Sequence, residues 1–181
     1  MKEPMVLHVD ENDNLIGLVP KLKAHQEGLL HRAVSVLIFN ENGDWLLQKR
    51  ADEKYHSGGL WSNTCCSHPY PHEEVLEASH RRLMEEMGMK CELNKAYSFT
   101  YKAELDNDLI ENEIDHLFIG ITNDLPLVNL DEVSEFKYLS GQDLENDINE
   151  NPQNYTEWFK IIFKEVHNTK VLNIKKQAKV A

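Results

Sequence analysis

Residues 33–39, Ala-Val-Ser-Val-Leu-Ile-Phe, constrain the fold more than any other stretch of the chain. Six of the seven are apolar and three are β-branched. The run reads as a strand. Asn40-Glu-Asn-Gly43 then turns the chain, and Trp45–Lys49 returns as the second half of a hairpin. An earlier hairpin is expected from the apolar segments Met5–Val9 and Leu15–Val19 around the turn Asp10-Glu-Asn-Asp-Asn14, ended by Pro20.

The rest of the pattern surrounds this sheet nucleus. Residues 50–60 carry Arg50, Lys54, His56 and the pair Gly58-Gly59, and read as a loop. Residues 61–72, Trp-Ser-Asn-Thr-Cys-Cys-Ser-His-Pro-Tyr-Pro-His, hold two prolines and cannot form a long helix. The spacing of Val75, Leu76, Ser79, Leu83, Met84 and Met87 predicts a helix from Glu73 to Met87, with Gly88 as its C-cap. Strands are expected over 91–101 and 113–121, separated by a polar stretch that ends in Glu111-Asn-Glu113, and again over 135–139. Ser140 is placed to cap a short acidic helix ending before Pro152. Residues 154–169 predict a terminal helix, and the Lys-rich tail beyond it is expected to be solvated. Long strand–helix–strand alternation is absent, which disfavours a doubly wound sheet. The expected class is α/β of the α+β type: a mixed β-sheet core packed with helices, with an added N-terminal hairpin and a C-terminal helical portion.

Length and charge narrow the function. A chain of 181 residues fits one domain, 1–181. Asp and Glu number 31 against 19 Lys and Arg, a formal net charge of -12, which opposes steering toward nucleic acid but leaves room for a locally basic pocket. No secretory start and no membrane-length apolar run is visible, so a cytoplasmic protein without a membrane partner is expected. The cysteines are Cys65, Cys66 and Cys91; an odd number with two adjacent makes a poor disulfide framework and reads as reduced thiols.

Three clusters can carry chemistry. Cys66 and His68 are a metal pair, a reactive thiol beside a base, or an accident of sequence; extended backbone puts them on one side and Cys65 on the other. Glu111 and Glu113 share a face in extended chain, where converging carboxylates need a cation or raised pKa values; the alternative is an exposed acidic turn. With His25, His31 and His68 they make a three-nitrogen, two-oxygen metal set if the fold brings them together. On the central helix, Arg82 and Glu86 are four apart and share a face, as helix-surface pairs often do. Lys21, Arg50, Lys54 and Arg82 are scattered, and folded together they would clamp a diphosphate. Trp61, Tyr101 and Trp158, each taken separately, read first as ordinary core aromatics.

These motifs resemble, in order and over roughly residues 4–165, the type I isopentenyl-diphosphate isomerases, a branch of the Nudix superfamily. Ser62-Asn-Thr-Cys-Cys-Ser-His-Pro69 resembles the family's cysteine motif, in which the second cysteine is the active thiol. Glu111-Asn-Glu-Ile-Asp115 resembles its glutamate motif, and the Trp158 segment its active-site tryptophan. Glu73 and Arg81-Arg82-Leu83-Met84-Glu85-Glu86-Met87-Gly88 are similar to an altered Nudix box, with Ser67 at the usual Gly position and Arg82 in place of the first helix Glu.

The resemblance implies a Nudix-like isomerase domain with its core over about 30–165. It implies a 1,3-allylic proton shift between isopentenyl and dimethylallyl diphosphate. Cys66 and Glu113 would face opposite sides of the alkene, Tyr101 would assist Glu113, and Trp158 would offer its π face to a cation. It puts one divalent metal (Mg, Mn or Zn) on His25, His31, His68, Glu111 and Glu113, and a second Mg near Glu86 bridging the substrate diphosphate. Lys21, Arg50, Lys54 and Arg82 would form the clamp. The implied partner is a small prenyl diphosphate and the implied assembly a monomer or weak homodimer. A Nudix hydrolase of a prenyl or nucleoside diphosphate is the main alternative, which Arg82 weakens; a non-catalytic metal- or diphosphate-binding protein is the third class.

Overall fold

The computed structural model describes residues 3–54 and 56–169. In chain order its strands are β1 (Met5–Val9), β2 (Leu15–Pro20), β3 (His31–Phe39), β4 (Trp45–Arg50), β5 (Trp61–Ser62), β6 (Cys65–Ser67), β7 (Asn94–Glu104), β8 (Ile110–Ile121) and β9 (Val133–Leu139). The helices are α1 (Lys21–Glu27), α2 (Val75–Met87), α3 (Gly141–Glu150) and α4 (Glu157–Thr169).

The apolar run opening the hairpin becomes β3, the centre of the sheet. β3 pairs in parallel with β8 along its full length, from His31 opposite Glu113 to Phe39 opposite Ile121. Its other edge is shared by β1, β6 and β4 in turn. The other strand pairs named here are antiparallel, so the sheet is mixed. Alternation explains why β3 lacks polar spacing: its two faces meet two different cores. Val34, Val36 and Ile38 pack with Ala78, Leu83 and Met87 of α2. Leu37 and Phe39 pack with Leu144 of α3 and Trp158, Phe159 and Ile162 of α4. The sheet is therefore covered by α2 on one face and by α3 and α4 on the other.

Several expected boundaries move. α1 was not anticipated; Pro20 begins it, and Gly28, at φ 60°, ends it. α2 starts at Val75 rather than Glu73, because Glu73 is engaged by the Tyr70 amide and by Arg81. The strand expected over 91–101 occupies Asn94–Glu104, since Met89 and Leu93 are drawn into the core around α2 instead. Its partner begins at Ile110, so Glu111 and Glu113 both lie inside β8 rather than at the end of a polar stretch. The loop between them turns at Asn107 and Asp108, both with positive φ. Ser140 caps α3 as expected, accepting from the Asp143 amide. The terminal helix begins at Glu157, after a short 3-10 turn at Pro152–Asn154. The Lys-rich tail beyond Thr169 lies outside the described residues.

Candidate active site

Glu113 sits where three strands run level. Its direct partner on β3 is His31, and its direct partner on β7 is Tyr101. Alternation along β8 puts Glu111 on the same face, two residues away, and both carboxylates are buried. His25 reaches this face from α1, and His68 from the residue after β6.

The contacts converge. His68 Nε2 lies 2.9 Å from Glu113 Oε1 and 3.1 Å from His31 Nε2. His31 Nε2 is 3.3 Å from Glu113 Oε1, and His25 Nε2 is 3.0 Å from Glu111 Oε2. The Nδ1 atoms of His25 and His31 each meet a backbone carbonyl at 2.7 Å, Lys21 O and Leu29 O. Donation from Nδ1 leaves each Nε2 lone pair facing the cluster, the arrangement of a metal-ligating imidazole. One ligand atom from each of the five residues lies within 4.8 Å of the others. Bonds of about 2.0–2.2 Å around one ion allow donor separations of up to about 4.4 Å, so the donors close on one ion with an inward shift of about a few tenths of an ångström. The five residues thus fit a single divalent cation.

The cavity beside this cluster is lined by Cys66, Tyr101, Glu111, Glu113 and Trp158, together with Lys21, Arg50 and His56. Cys66 faces it from β6, paired with Ser35 of β3, while Cys65 turns into the α2 core, as extended backbone predicts. Trp158 is fixed from behind, its Nε1 donating to Ser62 Oγ at 2.9 Å. The Arg50 guanidinium lies 5.1 Å from its ring, and His56 meets the indole edge-to-face at 5.6 Å.

Electrostatics divides the two proton-transfer candidates. Burial pushes the Cys66 thiol up to about 12, reinforced by Glu86, Glu113 and Glu111 and only partly opposed by Arg50. Burial also acts to raise Glu113, but the hydrogen bond from His31, the charge that His31 carries when protonated with no ion bound, and the Tyr101 hydrogen bond prevail and hold its pKa below the ordinary value. Tyr101 donates to Glu113 Oε2 at 2.5 Å, and burial beside that carboxylate raises the phenol well above its usual range. Burial and the charge of Lys21 push His68 well below its usual value, so its imidazole is neutral. Burial and Arg50 likewise bring His56 down to about 3.

Lys54, Arg82 and Glu86 gather in a second cluster rather than in the cavity lining. Arg82 places Nη2 and Nε 2.5 and 3.0 Å from Glu86 Oε1, and Nη1 2.8 Å from Glu85. Gln48 Nε2 donates to the other Glu86 oxygen at 2.7 Å. Glu86 contributes to the raised pKa of Cys66, which places the two clusters within electrostatic reach. Gln48 and Glu132 carry no signal in the sequence, whereas His56 stands out only as part of the 50–60 loop and Ser62 only as the first residue of the cysteine motif.

Residues 29–159 match the family model of the NUDIX domain, the class to which this layered sheet conforms. The isopentenyl-diphosphate Delta-isomerase of Pectobacterium atrosepticum is 52% identical over 158 residues, 87% of this chain and 88% of its own length. Isopentenyl-diphosphate Delta-isomerase 2 of Aromatoleum aromaticum is 46% identical over 171 residues, covering 94% of this chain and 90% of its own. The crystal structure of DR0079 from Deinococcus radiodurans shares the fold with a TM-score of 0.67 at 17% identity, over 81% of this chain and 90% of that one. The chain belongs to the isopentenyl-diphosphate Delta-isomerase family of Nudix-domain proteins.

Proposed function

We propose that the chain is one Nudix-like isomerase domain, 1–181, that interconverts isopentenyl and dimethylallyl diphosphate. The observation that carries this reading is the meeting of Cys66, Glu113, Tyr101 and Trp158 on one cavity beside the His/Glu cluster. Relatives named for this isomerase, spanning nearly their whole length, support the same reaction.

The unactivated alkene needs a positioned acid on one side and a base on the other. In the charge state described above, Cys66 enters with its proton and Glu113 enters as a carboxylate. Cys66 Sγ–H gives its proton to the terminal carbon, and positive charge develops at C3. Glu113 then takes a proton from C2, forming the new double bond. The step leaves a thiolate and a carboxylic acid, whose proton exchange restores the resting state; the reverse reaction exchanges the two roles. The Tyr101 hydroxyl holds the Glu113 oxygen that does not face His68 and stabilises its negative charge. Trp158 presents a π face to the cationic carbon. Burial of the site keeps water from capturing that carbon.

His25, His31, His68, Glu111 and Glu113 would hold one divalent cation, Mg, Mn or Zn. When bound, it supplies positive charge that lets the two carboxylates sit together and orients Glu113. A second Mg at Glu86 would accompany the diphosphate, and Lys21, Arg50, Lys54 and Arg82 would supply the fixed positive charge. The partner is a small prenyl diphosphate.

The test is NMR of isopentenyl diphosphate incubated with the protein and Mg in deuterated water. Allylic transposition with deuterium entry and no phosphate release is the expected result. Phosphate release would establish a hydrolase instead, and unchanged substrate that nevertheless binds would establish a binding protein.

A further inference from the structure

Glu132, just before β9, sits in neither the metal cluster nor the cavity lining, yet it touches two of the four clamp cations. A single oxygen, Oε2, accepts from Arg82 Nη2 at 3.0 Å and from Lys54 Nζ. These cations arrive from unrelated places. Arg82 is on α2, and Lys54 ends the turn that follows β4. The main chain of Glu132 fastens the same turn: its carbonyl accepts from the Ala51 amide at 3.0 Å, and the Lys54 amide donates to Ala51 O at 3.2 Å.

Without this oxygen, two like charges drawn to one point would repel, and the flexible lysine stem would swing into solvent. Arg82 has other anchors in Glu85 and Glu86, so Lys54 depends more on Glu132 than Arg82 does. All three side chains are largely shielded, with 17–25% exposure, so solvent only partly screens the contact.

We propose that Glu132 is a positioning residue for diphosphate binding, holding Lys54 and Arg82 at the spacing of one shared oxygen so that a diphosphate meets a preformed pair of cations. The proposal rests on the reading that Lys54 and Arg82 receive the diphosphate. Glu132 belongs neither to the cavity lining nor to the His/Glu cluster, so its effect falls on binding rather than chemistry.

The experiment compares Glu132→Gln, Glu132→Asp, Lys54→Met and the Glu132→Gln/Lys54→Met double variant of the full chain. It measures Kd for inorganic pyrophosphate with Mg by calorimetry, KM and kcat for isopentenyl diphosphate, and the melting temperature. Glu132→Gln should raise Kd and KM about tenfold while kcat stays within about threefold. Glu132→Asp, which keeps the charge on a shorter stem, should fall between, and it carries the test if the Gln variant does not fold. In the Lys54→Met background the Gln substitution should add less than about twofold, the non-additivity of groups acting through one another. If Lys54→Met weakens pyrophosphate binding but Glu132→Gln leaves it unchanged or tightens it, the positioning role is wrong. Additive losses accompanied by a lowered melting temperature would reduce Glu132 to a stabilising residue. If Lys54→Met itself leaves binding unaltered, the clamp reading fails, and the positioning role with it.

Discussion

Cys66 keeps its proton because burial and three nearby carboxylates oppose a thiolate, which places its pKa at about 12. The protonated form is therefore the working form, and activity attributable to it is lost only as pH rises through that value. A thiolate absorbance titration should show no Cys66 ionisation below about pH 10, with wild type and Cys66→Ala superimposing there. Cys66→Ala should lower kcat at least about 10³-fold while leaving the melting temperature nearly unchanged, because the lost group is small. Near-normal turnover by that variant would remove Cys66 from the mechanism.

At the scale of elements, the ends and junctions of helices decide where site residues stand. Gly88 ends α2 at φ 62°, and a Cβ there would sit 2.3 Å from Leu127 O. Gly88→Ala combines left-handed backbone strain with a backbone clash, so chemical denaturation should show a loss of at least about 1–2 kcal/mol. A loss within about 0.5 kcal/mol would mean that the 125–130 loop yields freely. On the opposite face, Tyr155 donates to Asp147 Oδ2 at 2.5 Å, joining α3 to the approach of α4. That hydrogen bond chiefly lowers the Asp147 pKa; burial opposes it, while Asn151 and Lys137 add to it. A carboxylate lowered on folding adds stability above its unfolded pKa of 3.8, and that stability is lost as pH falls through the folded value. Asp147→Asn should therefore lower the melting temperature at neutral pH, with the gap to wild type closing in acid. A gap independent of pH would point to packing instead.

For the whole molecule, the His/Glu cluster ties together α1, β3, the chain after β6, and β8. An ion held there joins segments up to 88 residues apart in sequence, from His25 to Glu113. A divalent ion at a hundredfold excess over its Kd should stabilise the fold by about 2.7 kcal/mol, seen as a rise in melting temperature. Glu111→Gln should abolish that rise while the sheet persists by circular dichroism. A full rise in this variant would show that the stabilising ion sits elsewhere. Among the described residues no helix is long and apolar enough to cross a membrane.

Local pattern was enough to reveal the elements that carry their own signal. The apolar run of β3, the helical spacing and Gly88 of α2, the Ser140 cap, and the shared face of Glu111 and Glu113 all follow from neighbours a few residues apart. The motifs around Cys66, Glu113 and Trp158 were legible as well, through resemblance to a family. Tertiary structure alone decided what these residues meet. The parallel register of β3 on β8 sets His31 against Glu113, and α1, unanticipated from sequence, delivers His25. Glu132 had no motif to mark it, because its partners lie 78 and 50 residues away and only the fold brings them to one oxygen. Periodicity encodes which face a side chain takes within its own element, whereas strand pairing and helix packing determine what stands across from it.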